Sequence, residues 1–239
     1  MIWQSLQGFV SLLNAGLLLT VLVTPTAWAD QVAWPVDTPR QLFDFCVTPE
    51  LGVIERENIL RAAGWVPFEP VLPKDRPARP WDAGKLADLA ILGVVVSNPY
   101  LGRHHDIEEF RRAFDTFVVQ SDRPQNDMFA QDMRKFSRDG ALLALGPMRP
   151  SNGKENGRWR VECFYVAPAQ ANSAELRVLP GRLVEYPGTR FLLDMRGAEG
   201  FGRTFTGSVI IAKGKTLGRF LDSTLPDIVA FESSRRFEE

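Results

Sequence analysis

The chain has 239 residues, 45% of them hydrophobic, with 28 basic against 29 acidic side chains and a net charge of -1. That apolar content argues against disorder for the body of the protein. The charge balance removes any electrostatic reason to expect a nucleic acid or an anionic membrane surface as partner.

Residues 1–29 carry no charged side chain, and an apolar stretch runs from Leu12 to Val23, broken only by Asn14, Gly16 and Thr20, until Pro25 ends it. Ala27-Trp28-Ala29 puts small residues at the two positions a signal peptidase reads. Residues 1–29 are therefore expected to be a cleavable secretory signal, cut between Ala29 and Asp30. The run from Gly8 to Val23 falls short of the ~20 residues that span a bilayer, so no retained transmembrane helix is expected. One departure stands out: no Lys or Arg precedes the apolar core.

Thr38-Pro39-Arg40-Gln41 has the spacing of a capping box with Pro at the first helical position, so a helix should open here and bury Leu42, Phe43, Phe45 and Cys46. Thr48-Pro49 is expected to open a second helix in the same way, reaching Ala63, with Gly64 as the left-handed terminator and Trp65 packing back. Five prolines between Pro67 and Pro80 predict an extended surface strap. Helical spacing resumes from Asp82 to Leu92, and the β-branched run through Val94-Val95-Val96 suits either a helix or a buried strand. After Asp106, Ile107, Phe110, Phe114 and Phe117 form one stripe, with Glu108 and Arg112 a favourable i, i+4 pair. This helix is expected to be the principal lid on the sheet. A short helix through Met128 and Met133 to Phe136 is also expected.

Beyond Gly140 the period becomes strand-like. Strands are predicted over 141–145, 158–166, 190–195, 204–212 and 228–231. In the second of these, Trp159, Val161, Cys163 and Tyr165 share one face while Arg158, Arg160 and Glu162 take the other, the pattern of a half-buried antiparallel strand. Helices first and strands second imply an α+β fold: amino-terminal helices (about 38–137) on one face of a mainly antiparallel sheet (about 140–232), within one domain covering 30–239.

Cys46 and Cys163 are the only cysteines. In an oxidising compartment such an isolated pair reads as one disulfide that would staple helix layer to sheet.

His104 and His105 are the only histidines. His105 with Glu109, or His104 with Glu108, has the i, i+4 spacing of two metal or acid/base groups on one helical face. No third imidazole exists, so the bland reading is a solvated loop leading to a helix capped by Asp106. Ser151-Asn152-Gly153-Lys154 matches a Ser-x-x-Lys motif, but it lies in a turn-forming loop and lacks the companion motifs. Gly214-Lys215-Thr216 has the end of a phosphate-binding loop, with Val209 where the first Gly belongs, and no strand-loop-helix setting is expected around it. Glu162, on the charged face of its strand, and Asp194, near a strand end, are carboxylates of the kind that sugar hydrolysis pairs, though nothing in the sequence singles either out. Trp65, Trp81, Trp159, Phe68 and Tyr100 could line a groove or fill the core.

These readings point to an exported protein, periplasmic or secreted, that binds an envelope protein or a small molecule without cofactor or metal. The alternatives are an envelope hydrolase built on His104 and His105 with nearby carboxylates, and an inhibitor- or chaperone-like accessory docking through the Pro-rich strap.

Overall fold

The computed structural model describes residues 34–48, 51–71, 80–97, 132–146, 149–150, 158–186, 190–196 and 205–238. The signal segment, the His104-His105 pair, the Phe110–Phe117 stripe and the Ser151–Lys154 loop lie outside the described residues.

Helix α1 (Pro39–Val47) opens as its spacing predicts. Thr38 Oγ1 accepts the Gln41 amide at 3.2 Å, and Gln41 Oε1 accepts the Thr38 amide at 3.1 Å. Helix α2 (Val53–Ala62) does not begin at Thr48-Pro49 but at Gly52, its N-cap. The Thr48 hydroxyl is occupied elsewhere, donating to the Asp44 carbonyl at 2.8 Å, so it closes the first helix instead of opening the second. The terminator is where expected: Gly64 has φ 86°, and the Trp65 amide donates to the Leu60 carbonyl at 2.9 Å. From α2, Arg56 reaches back to α1. Fully buried, it donates to the Phe45 carbonyl at 3.2 Å and to the Thr48 carbonyl, with its guanidinium 5.6 Å from the Phe45 ring centre. It thereby satisfies carbonyls that the end of α1 leaves without a helical partner.

Helix α3 (Leu86–Ser97) resolves the ambiguous Val run in favour of helix. Every residue from Asp88 to Val96 is buried, and a helix apolar all round must be enclosed. Gly93 permits the close approach this needs, since a Cβ there would stand 3.1 Å from Phe164 and Val166.

The strands are β1 (Val66–Pro67), β2 (Arg134–Arg138), β3 (Ala141–Leu145), β4 (Arg149–Pro150), β5 (Arg158–Pro168), β6 (Arg182–Tyr186), β7 (Arg190–Asp194), β8 (Phe205–Ala212) and β9 (Ile228–Glu238). Between β5 and β6 lies a 3-10 helix, Ala171–Val178, and helix α4 (Gly214–Leu221) joins β8 to β9. The sheet runs β1-β2-β3-β5-β9-β8-β7-β6 with β4 beside β5, and each pairing is antiparallel.

Two expectations change here. The helix drawn to Phe136 gives way to strand β2, which pairs Phe136 with Leu143 and so places sheet inside the part expected to be helical. The turn at Asp139-Gly140 decides it: both residues have positive φ, 48° and 75°, the geometry of a two-residue hairpin. The half-buried sheet also gives way, because both faces are covered. Cys163, Tyr165, Val229 and Phe231 belong to one core with Phe43 and Phe45 of α1. Phe164, Val166, Ile228 and Ala230 belong to a second core with Leu89–Leu92 of α3 and Leu217 and Leu221 of α4. Alternate residues of one strand face opposite sides, so these two cores lie on the two sides of the sheet.

Cys46 and Cys163 form the disulfide expected of them, with Cα atoms 6.0 Å apart. It ties α1 to β5.

Candidate functional site

Strand β8 ends at Ala212 and a single residue, Lys213, caps helix α4. Gly214-Lys215-Thr216 therefore does follow a strand and open a helix, contrary to the sequence expectation. It is still no phosphate loop, because the helix start is taken. The Gly214 amide donates to Asp227 Oδ1 at 2.9 Å, and Lys213 Nζ donates to Asp227 Oδ2 at 2.9 Å. A carboxylate from the chain itself stands where an anion would sit, favourably placed against the helix dipole. Burial pushes the Asp227 carboxyl up, but the Lys213 hydrogen bond, the Gly214 amide and the charges of Lys213 and Arg177 outweigh it and hold the group below the usual range.

The helix has three kinds of surface. Leu217 and Leu221 are buried in the α3-side core. Gly214 and Gly218 press on backbone: a Cβ at Gly214 would meet the Leu225 and Pro226 carbonyls, and one at Gly218 the Ser223 carbonyl. Lys215 and Arg219 are exposed, four residues apart and so on one face. Asp222 ends the helix in the left-handed region, φ 49°, and the Ser223 amide returns to the Gly218 carbonyl at 2.9 Å. Ser223 Oγ accepts the Trp81 amide at 2.6 Å and donates to the Leu221 carbonyl at 3.0 Å, tying this turn to the chain just before α3.

Along this exposed side lies an open cleft of about 710 Å³, lined by Pro80, Lys215, Arg219, Asp222, Ser223 and Thr224 among others. It presents two cations, one carboxylate and a threonine hydroxyl. Neither cation makes an ion pair among the described residues, and the Asp227 carboxylate just before β9 is held by Lys213 and Gly214. That set suits binding by charge and hydrogen bonding.

His104, His105, Glu108 and Glu109 lie outside the described residues, as do Ala29 and Asp30. Among the described residues no group of three or more His, Cys, Asp or Glu could hold a metal. Glu162 is partly buried on β5. Asp194, at the end of β7, accepts from Arg196 at 3.0 Å, and that hydrogen bond above all holds its carboxyl low. Trp65 and Trp81 do not share a groove: the first belongs to the α1-side core, the second to the α3-side core. Phe68 packs on the second of these cores. The signal for the cleft was present in the sequence as Gly-x-x-x-Gly from Gly214 to Gly218, followed by the Asp-Ser-Thr turn.

No family model, no curated protein and no solved structure matches this chain.

Proposed function

We infer that the chain is an exported protein, periplasmic or secreted, serving as a binding or accessory module of the cell envelope. The observation that carries the reading is the Cys46–Cys163 disulfide, because such bonds form and persist in oxidising compartments. The absence of any helix long and apolar enough to cross a membrane, among the described residues, is compatible with it. On this reading residues 1–29 are removed as a signal, 30–239 form one domain with the amino-terminal helices laid against the sheet, and the partner is an envelope protein or a small molecule. The cleft beside α4 supports binding as its work.

The test is fractionation of cells making the full chain, followed by amino-terminal sequencing and thiol alkylation without reductant. The mature protein should begin at Asp30, lie outside the cytoplasm and leave both cysteines unmodified. A full-length chain in the cytoplasm with two reactive thiols would overturn the reading.

A further inference from the structure

We propose that the cleft beside α4 is a carboxylate-binding site, taking a free peptide terminus or a small organic acid, with Arg219 and Lys215 as its cationic partners. The inference rests on the binding reading above and gives it a ligand class.

Lys215 and Arg219 stand one turn apart on the exposed side of α4, where like charges at i, i+4 repel and weaken a helix. Among the described residues no side chain pairs with either of them. The Asp227 carboxylate is engaged by Lys213 and Gly214. A bound anion would remove the repulsion.

The charge count selects the kind of anion. Among the described residues, Lys215 and Arg219 face one lining carboxylate, Asp222, so that part of the lining carries one net positive charge. That matches a singly charged carboxylate better than a phosphate dianion, which would also meet Asp222 repulsively. A guanidinium fork suits two parallel hydrogen bonds to a carboxylate, while Lys215 adds a point charge. Asp222 and the Thr224 hydroxyl can accept from an amide N–H beside the carboxylate, as in a peptide end.

The backbone frame is fixed. Gly214 and Gly218 seat α4 directly on the carbonyls of residues 223–226, and the Ser223 hydroxyl is held by Trp81 and Leu221. Arg219 is therefore displayed from a seated helix and Thr224 from a braced turn.

The experiment is a nuclear magnetic resonance titration of the isotope-labelled, disulfide-intact protein with four probes: N-acetyl-alanyl-alanine, its carboxamide, acetate and inorganic phosphate. The expected result is saturable shifts confined to the amides of residues 215–224 with the free-acid peptide, and none with the carboxamide. Acetate binding as tightly as the peptide would assign the site to small acids; tighter peptide binding would assign it to chain ends. Arg219→Gln should weaken binding roughly tenfold or more, the loss of a charged hydrogen-bond partner, with an unchanged melting temperature because the side chain is exposed. Phosphate binding in preference to both acids, equal shifts with the carboxamide, or unaltered affinity in Arg219→Gln would overturn the proposal. Such a failure would leave the export test untouched, so the two readings fall separately.

Discussion

Arg56 is the residue whose removal should be felt most among the charged side chains. It is fully buried and serves two carbonyls at the end of α1 from the neighbouring helix. Arg56→Met keeps most of the volume but strands those carbonyls, at about 1–3 kcal/mol for each buried group left unpaired. A lower urea midpoint with an unchanged slope would register the loss. Asp227 makes a prediction in pH. Its folded carboxyl lies below the ordinary value, so it contributes stability that is present above the unfolded value of about 3.9 and is lost as pH falls through the folded one. Asp227→Asn should flatten that acid limb below about pH 5, measured as melting temperature against pH. His104 and His105 belong to this scale too. With no third imidazole in the chain, His105→Ala should leave function intact and the purified protein free of stoichiometric metal. A metal lost on that substitution would turn the assignment toward the hydrolase.

At the scale of elements, local chemistry was legible where it acted alone. The Thr38–Gln41 capping box and the Gly64 terminator depend on a few adjacent residues, and both stand where their spacing puts them. Strands β3, β5, β7 and β8 also stand close to where the sequence predicts them. What escaped were choices made by distant partners. Met133-Arg-Lys-Phe136 carries helix formers, yet β2 is a strand because Asp139-Gly140 folds it back on β3. Thr48 could have capped a helix, but its hydroxyl was already spent on Asp44. Covering of both sheet faces was hidden because α3 reads as a plain apolar run that fits strand or helix alike. For the cleft, sequence drew the eye to Gly214-Lys215-Thr216 through a phosphate motif, and only Asp227, thirteen residues on, shows why the phosphate reading fails. The glycines of α4 matter sterically. Gly218→Ala sets a methyl against the Ser223 carbonyl and should cost about 1–3 kcal/mol of stability. Gln at the exposed Lys215 should cost nothing measurable by thermal denaturation.

At the scale of the molecule, the Cys46–Cys163 bond crosses 117 positions of sequence between two residues that are 3% and 1% exposed. Loop-closure entropy places its contribution at about 4–5 kcal/mol at most. Replacing both cysteines by Ala should lower the melting temperature substantially. In the native protein the bond should resist reductant until denaturant is added, a difference that alkylation and mass measurement would display.

The position of β9 sets a schedule. It is the last of the described strands to be made, yet it lies in the middle of the sheet, pairing with β5 along Ile228–Pro168 to Glu238–Arg158 and with β8 along Ile228–Ala212 to Arg235–Phe205. Before it arrives, the strands can form only two separate ladders, one ending at β5 and one at β8. Each would expose an apolar edge and lack the seam that joins them. Nearly the whole described chain must therefore be made before the sheet can close, and pairing of this kind, between strands distant in sequence, is the kind that slows folding. Until β9 is in place, a chain made up to β8 lacks the seam of its sheet and stays open.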